Sequence, residues 1–257
     1  MNGSRVLQLA NILGLLLVLT VNTMAVTLPI GGLTTGEISG LYPNLFVPAG
    51  YAFSIWSLIY ILLIIFVILQ AKGLFGSKKD TPAYVDRIGW WFFVSCLANA
   101  GWILVWHFLL LPISMGIMLF LLFSLIQIYR CLDIDYDYHI STPPIIIRLP
   151  FSIYMGWVSV ATIANASALL ISLGWHGGAI GPVNWTVIML TVATLLGLYF
   201  VWVRQDVAYG TVLAWALIAI LVKRKEVELA VEQPIVTEIY VLLGVLALFI
   251  VVRMFKL

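Results

Sequence analysis

Residues Tyr51 to Ala71 read YAFSIWSLIYILLIIFVILQA, twenty-one positions without a charge, in which only Ser54, Ser57 and Gln70 interrupt apolar and aromatic side chains. A backbone crossing about 30 Å of hydrocarbon must satisfy its own N–H and C=O groups, and a helix of about 20 apolar residues does so. The stretch is therefore a transmembrane helix. Seven more uncharged apolar runs flank it: Val6 to Leu28, Ile88 to Leu111, Ile113 to Tyr129, Leu149 to Leu173, Val183 to Val203, Val207 to Val222 and Ile235 to Val252. Of the 13 basic and 11 acidic residues only Glu238 lies inside a run. The pattern predicts an all-α polytopic membrane bundle of about eight transmembrane helices, the fourth, seventh and eighth of them short. The first run ends on Asn22, Thr23 and Thr27 without a clean cleavage pattern, so it reads as a retained helix rather than a signal peptide.

The composition narrows the function. The chain is 63% hydrophobic and 9% charged, against roughly a quarter charged in soluble domains, so a lipid bilayer is its first partner. A net charge of +2, with no basic run interleaved with aromatics, excludes a nucleic-acid footprint. Cys96 and Cys131 sit in apolar helices as small hydrophobic side chains, too few for a closed metal site. Ion-coupled transport needs charge at mid-membrane, and here there is little. Glu238, near a helix end, and His107, near the end of the third run, are expected to reach toward interfacial water.

Counting Lys and Arg on alternate sides of eight crossings puts ten inside and three outside when both termini are cytoplasmic, which implies a multi-pass protein of the cell membrane. The misfit is Lys223-Arg224-Lys225-Glu226-Val227-Glu228, after a run of only 16 residues. A re-entrant seventh segment would change the split to eleven against two, but a helix of 16 residues can span with modest bilayer thinning, and eight crossings are retained. Pro29 to Gly50, rich in Gly and Pro, reads as a non-helical loop that folds back on the bundle as a lid. The stretch Asp133 to His139 lacks the Gly and terminal Glu of a calcium loop and reads as a solvated loop.

Ten tryptophans stand in the chain. Trp90, Trp91, Trp175 and Trp185 lie at run ends and fit an interfacial belt, whereas Trp56, Trp102, Trp106, Trp157, Trp202 and Trp215 lie further along and are expected to face protein or ligand. Helical spacing places Phe53, Trp56 and Tyr60 on one face of the second helix. It does the same for Asn99, Trp102 and Trp106 in the third, and for Tyr154, Trp157, Ala161 and Asn165 in the fifth. Periodicity alone favours helix packing over a ligand box for such stripes. Gly101 and Gly116 permit close helix contacts, within one chain or in a homodimer.

The stretch Pro43 to Tyr60, PNLFVPAGYAFSIWSLIY, together with Asn99-Ala-Gly-Trp102 and Tyr154-Met-Gly-Trp157-Val-Ser-Val-Ala161-Thr162-Ile-Ala-Asn165, resembles the signatures of the TspO/MBR family. These are the tryptophan-rich sensory proteins related to the mitochondrial translocator protein. The motifs lie within about residues 6 to 173. The resemblance implies a TspO-like five-helix membrane unit over residues 1–173, with three additional C-terminal helices over 174–257. It further implies a receptor-like or sensory protein with a pocket for a planar hydrophobic ligand beneath the first loop. Porphyrin or haem would be ligands, not required cofactors, and Pro48, Phe53, Trp56, Tyr60, Asn99, Trp102, Trp106, Tyr154, Trp157, Ala161 and Asn165 would form the site. Trp56 and Trp157 match the family's two tryptophans implicated in light-driven porphyrin breakdown, so a photo-oxidative enzyme is one alternative and a transporter of hydrophobic small molecules another. The chain departs from the family in having Met118-Leu119-Phe120 where the fourth helix carries an acid, and Leu169 in place of a Trp.

Overall fold

A computed structural model describes residues 3–28, 30–74, 81–133, 144–227 and 230–255. Among them are ten α-helices and no strand: α1 (Gly3–Thr27), α2 (Thr35–Gly40), α3 (Ile55–Gln70), α4 (Ala83–Ile88), α5 (Trp91–His107), α6 (Leu111–Asp133), α7 (Ile145–Ser172), α8 (Gly181–Trp202), α9 (Val207–Val227) and α10 (Gln233–Phe255). Seven segments are long and apolar enough to cross a membrane: Gly3–Thr27, Gly50–Gly73, Leu111–Leu132, Ile145–Ser172, Gly178–Trp202, Val207–Val227 and Ala230–Phe255. The eighth apolar helix, α5, has 17 residues, the short end of the usual range of about 17–25. The chain is an all-α polytopic membrane bundle.

Helix lengths correct those expected from the runs, because an uncharged run marks what suits hydrocarbon and not where the backbone turns. The three helices expected to be short, α6, α9 and α10, have 23, 21 and 23 residues. They continue through Arg130 and Lys225, whose exposed side chains carry the charge beyond the apolar surface, through Lys223 and Arg224, the latter buried and paired with Glu232, and through Arg253. α5 is shorter than its run. Gly89 before it has φ 56° and ψ −130°, open in practice to glycine alone. Leu109 after it has φ 58°, and the Leu110 N–H reaches back to the Val105 carbonyl at 2.9 Å, the helix-ending pattern in which a left-handed residue follows the last turn. The Pro29–Gly50 segment is not wholly non-helical either: it holds a 3-10 turn at Ile30–Gly32 and the six-residue α2. Residues 134–139, the bulk of the Asp-rich stretch, lie outside the described residues.

The chain forms two compact units, residues 1–35 with 56–155, and residues 36–55 with 156–257. In the first, α5 packs on both α1 and α6, and α4 lies against α6. A Cβ on Gly14 would come within 3.0 Å of the Phe93 ring and 3.1 Å of Cys96 Cβ, so α1 and α5 approach closely there. Phe66, Phe92 and Phe151, all fully buried, meet at 4.9 to 6.0 Å between ring centroids. Buried amides join α1 to α3: Gln8 Nε2 donates to the Gln70 carbonyl at 2.6 Å, and Asn11 Nδ2 to Gln70 Oε1 at 2.8 Å. A Cβ on Gly101 would meet Ile117 of the same chain at 3.9 Å, while one on Gly116 would meet nothing within 4 Å among the described residues.

In the second unit α8, α9 and α10 pack on one another. Asp206 caps α9 by accepting from the Tyr209 N–H at 3.0 Å. The Tyr209 ring stacks on Phe200 at 3.9 Å, and its hydroxyl donates to Ser159 Oγ at 2.8 Å. Gly156 allows α7 to approach α9, since a Cβ there would meet Val212 Cβ at 3.2 Å. Residues 36–55 are fastened to α9 by the Ala49 N–H on the Ala219 carbonyl at 2.9 Å and by Trp215 Nε1 on the Ala52 carbonyl at 3.2 Å.

Candidate ligand-binding site

In the first unit the aromatic stripes of α3 and α5 become a ladder. One turn of α3 separates Trp56 from Tyr60, which stack at 5.6 Å with planes 21° apart. Trp102 and Trp106 on α5 do likewise at 5.7 Å and 24°. Trp56 continues onto Trp102 at 6.3 Å and 29°, and Tyr154 meets Trp56 edge-on at 5.7 Å. Four near-parallel rings and one edge therefore come together from three helices.

The ladder has a polar seam. Asn99 Nδ2 donates to the Tyr154 hydroxyl at 2.7 Å, and Asn99 Oδ1 accepts from Asn22 Nδ2 at 2.9 Å. At the other end Trp106 Nε1 donates to the Thr35 carbonyl at 3.2 Å. His107 is buried and does not reach interfacial water as expected: Nδ1 lies 2.8 Å from the Ile30 carbonyl and Nε2 3.2 Å from Thr35 Oγ1. A carbonyl can only accept, so Nδ1 carries the proton. Between these anchored ends, Trp102 Nε1 is buried without a hydrogen-bond partner among the described residues.

The other residues expected at the site belong to the second unit. Phe53 meets Trp157 edge-on at 6.0 Å; Trp157 and Asn165 are buried, Ala161 is half-buried, and Pro48 is buried ahead of the Gly50–Ser54 turn. Trp56, Tyr60, Asn99, Trp102, Trp106 and Tyr154 thus fall in one compact unit, and Pro48, Phe53, Trp157, Ala161 and Asn165 in the other.

A family model described as TSPO-like protein matches residues 8–252. The chain belongs to the TSPO-like protein family. The match runs through α8 and α9 and most of α10, well past residue 173, where the motif resemblance stops, so these helices lie within the family's extent. No curated protein and no solved structure matches the chain.

Residues outside the TSPO-like motifs also take part in the ladder. Asn22 completes the amide seam; its signal was an amide in an otherwise apolar helix, where a polar group calls for a partner. Thr35 and His107 tie residues 30–35 to the end of α5. Trp202, expected to face protein or ligand, is 48% exposed and touches Phe249 edge-on at 5.4 Å. It is the last residue of α8 and suits the interfacial belt. Glu238 is half-buried and accepts from Thr191 Oγ1 at 3.4 Å. The second unit also contains a cavity of about 630 Å³, whose wall includes Phe46, Leu170, Trp175, Trp185, Arg224 and Glu232 and none of the residues expected at the site.

Proposed function

We propose that this TSPO-like protein is a membrane receptor or sensor that binds a planar hydrophobic ligand, with porphyrin or haem as the model case, against the aromatic ladder of the first unit. The observation that carries the reading is the Nε1 of Trp102, buried within stacked rings and without an acceptor among the described residues. A desolvated donor left unpaired costs about 1–3 kcal/mol, and a flat ligand with an acceptor at its edge would remove that penalty. Stacking on Trp56 or Trp102 would add about 0.5–1.5 kcal/mol per ring pair beyond area burial. The ladder's polar members are amides, hydroxyls and indoles, which orient a ligand without an ionic partner. Movement of Tyr154 on binding would reach α1 through Asn99 and Asn22, which suits a sensor.

The test is a titration of the protein in lipid nanodiscs with protoporphyrin IX, read by tryptophan quenching and by thermal shift, beside the Trp56→Phe/Trp102→Phe variant. Saturable quenching with a raised melting temperature, at least tenfold weaker in the variant, is expected. Equal, non-saturating quenching in both proteins with unchanged melting would overturn the reading.

A further inference from the structure

The cavity of the second unit has the chemistry of an anion site at a membrane interface. Arg224 and Glu232, on its wall, are both almost wholly buried, with Arg224 Nη1 3.1 Å from Glu232 Oε2. A guanidinium keeps its proton and offers five N–H donors; here one is used by Glu232, and Nε is buried with no partner among the described residues. Lys223 is on the same wall, with its own ion pair to Glu226 exposed at 3.4 Å. Among the described residues the wall carries two cations, Lys223 and Arg224, and one carboxylate, Glu232, with the Glu226 carboxylate beside Lys223 outside the wall.

The rest of the wall is largely apolar. Phe46, Leu170 and Val183 line it, and Trp175 meets Trp185 edge-on at 4.8 Å. These groups lie where α7 ends, α8 begins and α9 ends, and the ends of apolar spanning helices are where headgroups would meet them. A volume of 630 Å³ is that of about twenty groups of ~30 Å³, the share of one water molecule, enough for a chain of about a dozen carbons with its head.

The geometry points to a second ligand site, in which this cavity takes a single-chain anionic amphiphile with its carboxylate or phosphate head on Arg224 and Lys223 and its chain between Phe46 and Leu170. The site gives a role to the basic cluster at 223–225, which breaks the charge asymmetry of the other loops. It does not depend on the planar-ligand reading, because no residue of the ladder lines it.

The protein in nanodiscs of zwitterionic lipid would be titrated with 12-bromododecanoate, 12-bromododecyl phosphate and 12-bromododecanol, the bromine quenching Trp175 and Trp185. Arg224→Met alone would leave Glu232 buried without its partner, so the pair is removed together as Arg224→Met/Glu232→Met. Val183→Phe fills the cavity and leaves the ion pair in place. Saturable quenching by an anion, at least tenfold weaker in both variants, with the alcohol at least tenfold weaker than the acids in the parent, is the expected result. The ranking of carboxylate and phosphate identifies the head. Anion quenching that is the same in Val183→Phe as in the parent, or an alcohol that quenches as well as the acids, overturns the proposal; Val183→Phe decides it if the double variant does not fold.

Discussion

At the residue scale Trp102 and His107 differ in what their ring nitrogens do. Trp102 Nε1 is buried and unpaired among the described residues, so Trp102→Phe exchanges the relief of a desolvated donor, about 1–3 kcal/mol, for a small cavity costing about 1 kcal/mol. The melting temperature should stay level or rise while porphyrin binding weakens; a stability loss above about 2 kcal/mol in the same melt would mean that the indole is structural. His107 has partners for both nitrogens. His107→Ala should cost about 1–3 kcal/mol and raise amide hydrogen exchange in residues 30–35, and unaltered exchange there would refute the anchoring role. Trp102 and Trp106 were legible from their spacing. The partners of His107 were not, because Ile30 and Thr35 lie 77 and 72 residues away in the chain and no local pattern encodes that proximity.

The helices themselves were visible as apolar runs, since hydrocarbon accepts only backbones that bond internally. Their ends depend on backbone dihedrals, which hydropathy does not report. Gly89→Ala would force a Cβ into a conformation that costs about 1–3 kcal/mol, and thermal unfolding should show that loss even though the nearest atom to the new Cβ is 3.8 Å away. Leu109 presents the opposite case. It is 45% exposed and already holds φ 58°, so Leu109→Gly should stabilise the end of α5 by about 1 kcal/mol. A lowered melting temperature in that variant would show that the leucine's packing outweighs its backbone strain. For α9 the charged residues 223–225 marked a run end, yet the helix continues through them, because Arg224 finds Glu232 inside the protein.

On the scale of the whole molecule, residues 36–55 belong to the compact unit formed with 156–257. A chain cut after Leu173 would lose the Ala219 carbonyl that accepts from Ala49 and the Trp215 indole that donates to Ala52. Expressed in membranes and purified, the 1–173 fragment should aggregate or show fast hydrogen exchange across 36–55. A monodisperse fragment with the same protection there would instead establish a five-helix unit that folds alone. An all-α membrane bundle of the TSPO-like family follows from the amino-acid order, because apolar run length and motif spacing are local properties. Helix packing sets which aromatic residues share a ladder, which amides complete its seam, and that Phe46 and Arg224 border one cavity. Those relations join side chains far apart in sequence, and only the packing of the helices brings them within a few ångströms.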